Sequence, residues 1–511
     1  MPDPMNPVIS FLEARPCLGH LLALIAGVSL SLAFAPYELR VFAVLAPAAL
    51  FLLWWDQAPG RAAWRGYLFG LGMFGAGVSW IYYSLHLFGS AIAPLAALIT
   101  ALFVAVLALY PALLGYLLAR FAPRLPVAAL VLCFPAAWVL WEWWRGWFLT
   151  GFPWLLLGTA QVDTALAGYV PVVGAYGASL VVALMAGLLA FVLVRWSPRA
   201  LGVGAAAVLC LWLAGLGLSR MDWTRPEGEA LSVHLIQGNV AQEEKWGPDS
   251  IDEALALYGG LTRKVLVEAE AVDIVLWPET AIPAFYHEIH EPLMELADAV
   301  EARGGALITG IFVYDFETGA MYNSIVHATA EPAAYHKRHL VPFGEYLPLR
   351  GLLMWLDDWL EIPMSDLSKG GWRPLMYVGD LPVGMSVCYE DAFGGQVIDA
   401  LPEAKLLINV SNDAWFGDSI APHQHLEIAR MRSLETGRDM LRATNTGVSA
   451  VIGHRGELIA TSPQFEVDVL TAHAQPRTGR TPFALWGNSV AVWLSLVLLA
   501  AGSLGRRWLR A

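Results

Sequence analysis

Long apolar segments at both ends of the chain are the feature that most limits how it can fold. Seven of them precede residue 220 and an eighth lies near residues 485–505, and their lengths are typical of membrane helices. The first seven lie at about residues 18–36, 41–56, 66–84, 90–118, 125–142, 169–194 and 200–219. We therefore predict a membrane domain of seven helices over residues 1–219, a water-soluble domain over 220–480, and a C-terminal membrane helix with a short tail over 481–511.

Charge is divided unevenly between these parts. Of the 511 residues, 57% are hydrophobic and only 15% are charged, whereas soluble domains carry about 25% charged residues. Residues 220–480 hold 19 Lys and Arg against 38 Asp and Glu, and the rest of the chain holds 12 against 6. The water-soluble domain is therefore acidic, which argues against nucleic acid as a partner.

The arginines that flank the apolar segments predict the orientation of the chain. If the N-terminus is inside, ten arginines fall on the inner side, and only Arg40 and Arg145 fall in short outer loops. The inner set is Arg15, Arg61, Arg65, Arg120, Arg124, Arg195, Arg199, Arg506, Arg507 and Arg510. Because basic residues concentrate on the cytoplasmic side of membrane proteins, residues 220–480 are predicted to lie outside and the C-terminal tail inside.

Short apolar runs alternate with amphipathic stretches in the water-soluble domain. Strands are predicted at residues 231–237, 272–277, 306–314, 383–389 and 406–411. Helices are predicted at residues 249–271, 291–303, 395–401 and 424–440, and a closing hairpin region begins near residue 443. This alternation indicates an α/β layered domain.

Cys388 stands near the end of the predicted strand 383–389 and is followed by Tyr389 and Glu390. The other three cysteines of the chain lie in apolar segments, so the domain has no partner for a disulfide. A cysteine attacks carbonyl carbons as its thiolate, and it therefore needs a base or a cation beside it. An isolated strand cysteine is more often an inert buried thiol, but the acidic residue that follows Tyr389 favours a nucleophile.

Glu279 and Lys337 offer the two groups that such a nucleophile needs. Glu279 follows Trp277-Pro278 at the end of a predicted strand, where a carboxylate in an apolar mouth can shuttle protons. Lys337 is one of only five lysines in a chain whose other basic residues are arginines. The use of lysine here indicates that its compact ammonium stabilises an oxyanion. Either residue could instead be an ordinary surface charge. No Cys/His spacing typical of zinc occurs, so no metal site is predicted.

Four motifs together carry a family resemblance. They are Trp277-Pro278-Glu279, Lys337-Arg-His-Leu-Val-Pro-Phe-Gly-Glu345, Cys388-Tyr-Glu-Asp391 and Asn412-Asp-Ala-Trp-Phe-Gly417. On these motifs the chain resembles the nitrilase (carbon–nitrogen hydrolase) superfamily. The eight flanking apolar segments narrow the resemblance to the apolipoprotein N-acyltransferase family. The resemblance implies that the water-soluble domain is a four-layer αββα sandwich.

The resemblance also implies a set of functional residues. The implied catalytic triad is Glu279, Lys337 and Cys388. The implied supporting residues are Glu345, Tyr389 and Glu390, with Trp246 as the tryptophan of a mobile loop.

The implied reaction is an acyl transfer in two steps. A fatty acyl chain would pass from a phospholipid, by resemblance the sn-1 chain of phosphatidylethanolamine, to Cys388 as a thioester. It would then pass to the N-terminal amine of a diacylglyceryl-cysteine apolipoprotein. No metal or soluble cofactor is needed. The enzyme would lie in the bacterial inner membrane with its catalytic domain in the periplasm.

A water-poor mouth would protect the thioester from hydrolysis. We expect Trp246, Trp415, Phe416 and residues 350–363 to line it. In the last of these, five large apolar residues recur at helical spacing, which predicts an amphipathic helix. Whether this helix packs on the core or lies on the outer bilayer surface is left open.

Two other functions fit parts of the pattern. A membrane-tethered amidase or nitrilase would use the same triad on small amides, in an open polar pocket. A transporter or receptor would carry buried charges within its helices, whereas the apolar segments hold few ionisable residues. Glu142 is one of these few, and we place it at the membrane interface.

Overall fold

The computed structural model describes residues 15–89, 91–347 and 366–508. The chain divides into two compact units. The first consists of Met1–Tyr82, Pro94–Met221 and Trp486–Ala511, and the second of Tyr83–Ala93 and Asp222–Leu485. The sequence does not indicate that the piece Tyr83–Ala93, which stands between two apolar helices, belongs with the second unit. The predicted amphipathic helix over residues 350–363 lies outside the described residues.

Helices build the first unit. They are α1 Pro16–Ser31, α2 Phe42–Trp54, α3 Pro59–Gly77, α4 Ala93–Phe121, α5 Phe134–Arg145, α6 Val170–Arg195, α7 Pro198–Leu218 and the C-terminal helix Ser489–Trp508. A π-helical stretch, Val127–Cys133, leads into α5, and another, Ser84–Phe88, follows the one-turn helix Ile81–Tyr83. Proline in the first turn of α1, α3 and α7 favours their starts, because it needs no hydrogen-bond acceptor there.

Four helical spans of the described residues are long and apolar enough to cross a membrane. They are Ala93–Phe121, Val127–Arg145, Ala165–Arg195 and Pro198–Leu218. A fifth arises if α3 and Ile81–Leu87, which meet at a bend of 61°, form one span. Helices α1 and α2 and the apolar part of the C-terminal helix are shorter, so the total of eight spans stays a prediction.

Glu142 is buried inside the first unit, which the sequence does not indicate, and its place at the membrane interface stays a prediction. It is 4% exposed, and its carboxylate accepts hydrogen bonds from Trp138 Nε1 at 2.9 Å and from the backbone N–H of Leu157 at 3.0 Å. Arg145 is also buried and donates to two backbone carbonyls of the loop after α5, at 2.6 and 2.7 Å. This loop folds back and supplies the polar partners that make burial tolerable. The scarcity of buried charge is therefore no ground for rejecting a transporter.

Two six-stranded sheets form the centre of the second unit. The strands are β1 Thr224–Pro226, β2 Leu231–Gln237, β3 Ile274–Leu276, β4 Ala306–Tyr314, β5 Met321–His327, β6 Ala333–His336, β7 Leu375–Val378, β8 Leu381–Val387, β9 Leu406–Ser411, β10 Met440–Thr444, β11 Ala450–Ile452, β12 Leu458–Thr461, β13 Asp468–Ala474 and β14 Arg477–Gly479. The first sheet has the order β13-β2-β3-β4-β5-β6 and the second the order β12-β11-β10-β9-β8-β7. Strands β1 and β14 form a separate antiparallel pair.

Helices cover the outer faces of both sheets. They are α8 Ser250–Glu268, α9 His290–Glu301, α10 Gly394–Val397 and α11 Ala421–Thr436, and the short helix Pro482–Trp486 ends the unit. One apolar cluster joins the sheets and includes Leu276 of the first sheet and Val387 of the second. A second cluster packs α8 and α9 on the first sheet, and a third packs α11 on the second. The unit therefore has four layers in the order αββα.

Predicted and observed strands agree best in the middle of the sheets. The strands predicted at 231–237, 306–314 and 406–411 are β2, β4 and β9 with the same bounds. Strand β8 ends at Val387 rather than at 389, because Cys388 has φ of +52°, which a strand does not accommodate. The sequence does not predict β5, β6, β7, β12 and β13. The last four are edge strands, which are less apolar because they are not covered on both sides, whereas β5 lies inside the first sheet.

Candidate active site

Three strand ends bring the predicted triad into one place. Glu279 comes three residues after β3, Lys337 directly follows β6, and Cys388 directly follows β8. Because β3 and β6 belong to one sheet and β8 to the other, the core between the sheets fixes the three side chains relative to one another. Lys337 Nζ lies 3.9 Å from Glu279 Oε1, and both charges act on the thiol of Cys388.

Lys337 is the fully buried cation of the site, at 1% exposure. Its ammonium donates to Glu345 Oε1 at 2.8 Å, so the predicted supporting residue Glu345 is its direct partner. Burial by itself would lower the pKa of Lys337, but the carboxylates of Glu345 and Glu279 outweigh burial and raise that pKa. The side chain therefore stays an ammonium at physiological pH.

Two asparagines fix the carboxylates, and neither is among the predicted site residues. Asn323 Nδ2, from β5, donates to Glu279 Oε1 at 2.8 Å and to Glu345 Oε1 at 3.2 Å. The backbone N–H of Asn412 donates to Glu279 Oε2 at 2.8 Å. Both oxygens of Glu279 are thus held by hydrogen bonds. Asn412 is the first residue of one of the family motifs, so that motif could have indicated it as a site residue. Asn323 lies in a strand that carries no motif, so the sequence offers no such indication.

A second buried lysine, Lys245, contacts the backbone of the same glutamate. Its Nζ lies 3.4 Å from the carbonyl oxygen of Glu279. Burial lowers the pKa of Lys245 to about 8, and the negative charge of Glu279 opposes this shift. The predicted substrate-binding residue Trp246 is the next in the chain, is 50% exposed, and has its ring centroid 6.2 Å from that of Phe312. Trp246 therefore presents an exposed ring beside a buried contact to Glu279.

Cys388 is partly buried, and its φ of +52° is one that residues with side chains rarely adopt. Burial and the charge of Glu279 raise the pKa of the Cys388 thiol, and the Lys337 ammonium offsets this only in part. The thiol is therefore protonated at rest, and formation of the thiolate needs a base inside the site.

Glu390 joins the two sheets through backbone hydrogen bonds. Its carboxylate accepts from one N–H at the end of β8 and from two in the residues after Lys337, at 2.7, 2.8 and 3.0 Å. The hydroxyl of Tyr335 donates to the same carboxylate at 2.9 Å. Glu390 thus holds the segment after Lys337 against the strand that leads to Cys388.

Tyr389 and Trp415 surround these groups less directly. The ring of Tyr389 lies 5.1 Å from that of Phe393, edge to face. The backbone carbonyl of Trp415 accepts a hydrogen bond from Ser84 Oγ at 2.7 Å, which ties the piece Tyr83–Ala93 to the second unit. Among the described ranges, no group of three or more His, Cys, Asp or Glu side chains is arranged to hold a metal ion.

Comparison with protein families matches both units. Residues 26–188 match the apolipoprotein N-acyltransferase N-terminal domain, and residues 235–483 match the carbon-nitrogen hydrolase domain. The chain is 45% identical to the apolipoprotein N-acyltransferase of Methylococcus capsulatus, over 93% of this chain and 94% of that protein. It is 42% identical to that of Nitrosomonas europaea, over 94% and 97%. The chain belongs to the apolipoprotein N-acyltransferase family.

Membership in the apolipoprotein N-acyltransferase family confirms the predicted activity, an acyltransferase that N-acylates lipoproteins. Family membership and the long apolar helices together identify the chain as a membrane-embedded bacterial protein. Among solved structures, the chain is similar to Nit3 of Saccharomyces cerevisiae and to an amidase from Nesterenkonia sp.. These are 16% and 17% identical, each covers 49% of the chain, and the TM-scores are 0.39 and 0.32.

Proposed function

We propose that Cys388 is the nucleophile, Glu279 the general base and Lys337 the cation that stabilises the oxyanion. The observation that carries this proposal is the buried array in which Lys337 contacts both Glu279 and Glu345 beside the Cys388 thiol. Two carboxylates face one ammonium in this array, so it has a formal charge of −1 and can accept one proton. The Cys388 thiol is the adjacent donor of that proton.

In the first half-reaction the acyl donor is a phospholipid, and phosphatidylethanolamine is the proposed donor. Glu279 takes the proton of Cys388 as the thiolate attacks the ester carbonyl carbon. The oxyanion that forms is stabilised by the Lys337 ammonium and by a backbone N–H at Tyr389. The carbon–oxygen bond then breaks, the lysophospholipid oxygen takes the proton back from Glu279, and a thioester remains on Cys388.

In the second half-reaction the acceptor is the α-amine of a diacylglyceryl-cysteine at the N-terminus of an apolipoprotein. The amine attacks the thioester carbon, Glu279 takes its proton, and the Cys388 sulfur leaves and is reprotonated by Glu279. The products are an amide and the free thiol. Because an amide is more stable than a thioester, this half-reaction runs forward. Protons and electron pairs balance within the site, and the steps involve only these side chains and the two substrates.

Glu345 and Asn323 act through the triad in this scheme. Glu345 keeps Lys337 charged and fixes its position, and Asn323 holds the two carboxylates at a set distance from each other. Trp246 and Trp415 are proposed to line the mouth over the thioester, where apolar rings exclude water. The arginine bias of the flanking segments supports residues 220–480 as a periplasmic domain at the inner membrane.

The deciding experiment is mass spectrometry of the intact purified protein after incubation with phosphatidylethanolamine and no acceptor. Wild type is expected to gain one fatty-acyl mass that hydroxylamine removes, and Cys388→Ala is expected to gain none. Cys210→Ala is the matched control, because it removes an exposed thiol from α7 of the first unit and should load like wild type. A wild type that gains no acyl mass but hydrolyses small amides would support the tethered amidase instead.

A further inference from the structure

A second cluster of buried charges lies beside the nucleophile and has no part in the proposed proton transfers. It consists of Asp391, Asp413, His425 and Arg442, which we call the charge ring. All four are at most 3% exposed in the described structure, and they come from four different elements. Asp391 follows Cys388 in a 3₁₀ turn, Asp413 follows β9, His425 lies on α11, and Arg442 lies on β10.

The charge ring is closed by alternating positive and negative groups. The guanidinium of Arg442 reaches Asp391 Oδ2 at 3.1 Å and Asp413 Oδ2 at 3.0 Å. His425 bridges the other oxygens of the same two carboxylates, with Nδ1 at 2.9 Å from Asp413 Oδ1 and Nε2 at 3.1 Å from Asp391 Oδ1. Each carboxylate therefore meets both cationic side chains.

The partners of His425 determine its protonation. Both ring nitrogens face carboxylate oxygens, which can only accept, so both nitrogens have to carry a proton. Burial and the Arg442 charge would lower the pKa of His425, but Asp391 and Asp413 together outweigh them and raise it to about 9. His425 is therefore an imidazolium at neutral pH, and the charge ring has no net charge.

The charge ring touches the backbone of the nucleophile. The carbonyl oxygen of Cys388 lies 3.3 Å from His425 Nε2 and 3.2 Å from Asn409 Nδ2. Arg442 donates to Asn409 Oδ1 at 2.6 Å, which fixes the amide so that its NH₂ group faces Cys388. Two donors thus hold one carbonyl oxygen at the residue whose φ of +52° is unfavourable for any side chain.

We propose that the charge ring positions the nucleophile. His425 and Asn409 anchor the Cys388 carbonyl, and because its two cations balance its two anions, the ring places no net negative charge beside the thiol. His425 is a positioning residue in this scheme, because it acts through Cys388. The proposal rests on the proposed role of Cys388 as the nucleophile. The charged groups that face His425 include Asp391 and Asp413 from the two turns and Arg442 from β10.

The test is the alkylation rate of Cys388 by a small chloroacetamide between pH 6 and 10, read from the Cys388 peptide by mass spectrometry. In His425→Gln the two carboxylates keep only one cation, and Asp413 acts directly on the Cys388 thiol. Below about pH 9, where wild-type His425 is an imidazolium, we expect the pH profile of His425→Gln to lie about one unit higher, which is about a tenfold lower rate at each pH.

A double variant separates charge from shape. His425→Gln with Asp413→Asn restores a net charge of zero, so its profile should return towards that of wild type. His423→Gln is the matched control on the same helix, because that histidine lies outside the charge ring, and it should leave the profile unchanged. A purely structural role predicts that the double variant, with more contacts removed, reacts more slowly than the single one.

Asn409→Ser keeps the proposal testable if the His425 variants do not fold. It removes one donor to the Cys388 carbonyl without changing the charge, so the alkylation rate should fall at every pH while the shape of the profile stays the same. Unchanged rates in both Asn409→Ser and folded His425→Gln would overturn the proposal. Alkylation needs neither lipid nor acceptor, so a protein that fails to load acyl chains could still show the shift, and the two proposals fail separately.

Discussion

The second unit holds two buried clusters in which carboxylates pair with cationic side chains, and the two clusters differ in their net charge. In the reactive cluster the Lys337 ammonium contacts Glu279 and Glu345, so the directly paired groups carry one surplus negative charge. In the charge ring two carboxylates meet one guanidinium and one imidazolium, so no charge is left over. The first cluster can take up a proton without breaking an ion pair, whereas the second cannot.

This difference in net charge separates the cluster that reacts from the cluster that supports it. A cluster with a surplus charge beside the protonated Cys388 thiol is arranged to move a proton. A neutral ring with its charges paired and hydrogen-bonded resists change, because removing any member leaves another charge buried and unpaired. The same site therefore combines an unbalanced cluster that reacts with a balanced one that holds the nucleophile in place.

The largest effect is expected from Lys337→Met, which breaks the reactive cluster. The two carboxylates lose the one cation that pairs with them among the described residues, and the oxyanion loses its stabilising charge, so acyl loading should fall about 1000-fold. The measurement is the rate of acyl-enzyme formation from phosphatidylethanolamine by intact mass. Lys264→Met, which removes an exposed lysine on α8, is the control and should load normally. Loading within tenfold of wild type would show that the oxyanion does not need this ammonium.

We expect the charge ring to make the stability of the fold depend on pH. Although burial and Arg442 oppose it, Asp391 and Asp413 raise the pKa of His425 from its ordinary value of 6.5 to about 9. A raised pKa stabilises the fold below pH 6.5, and that stability, about 3 kcal/mol, is lost as pH rises from 6.5 to 9. His425→Gln should therefore show a flatter decline of the thermal midpoint over this window than wild type or His423→Gln. Parallel declines in all three proteins would mean that His425 is neutral.

A smaller effect is expected from Asn323→Ala. Asn323 Nδ2 bridges Glu279 and Glu345, and losing hydrogen bonds to charged groups should slow acyl loading about tenfold. Ser324→Ala is the matched control on the same strand, because its hydroxyl contacts His336 and not the carboxylates. Equal rates for the two variants would mean that Lys337 and backbone N–H groups, such as that of Asn412, hold the carboxylates in position without Asn323.

The two clusters also differ in how far the sequence predicts them. Glu279 and Cys388 each stand close behind an apolar strand that the sequence predicts, so a pattern of strand followed by reactive residue is visible there without a structure. Lys337 is indicated instead by the scarcity of lysine and by its motif, because the sequence does not predict β6. The charge ring has no such pattern, because Asp391 and Arg442 are 51 positions apart and meet only when β8 and β10 lie on either side of β9. Asn323 is missed for a related reason, since β5 was not predicted at all.

Glu142 shows the same limit in the first unit. Its position near the end of an apolar segment fits a membrane interface, and the sequence gives no sign that the following loop folds back to supply an N–H donor. Helix and strand positions follow from local apolar patterns, whereas the burial of a charge depends on which distant backbone groups reach it. Local patterns therefore predict elements well and polar partners poorly.

Lys245→Met is expected to have the smallest effect of these variants. It tests directly whether surplus negative charge is what distinguishes the reactive cluster from the charge ring. Lys245 makes a single long contact, 3.4 Å, to the backbone carbonyl of Glu279, so its loss should slow acyl loading at pH 7 only about threefold. Because burial lowers the pKa of Lys245 to about 8, an inflection of the wild-type rate near that pH should disappear in the variant. Lys405→Met, which removes a lysine paired with Glu227 at the surface, serves as the control. If Lys245→Met instead stops loading as completely as Lys337→Met, Lys245 belongs to the reactive cluster, that cluster is neutral as well, and surplus charge is not what makes it reactive.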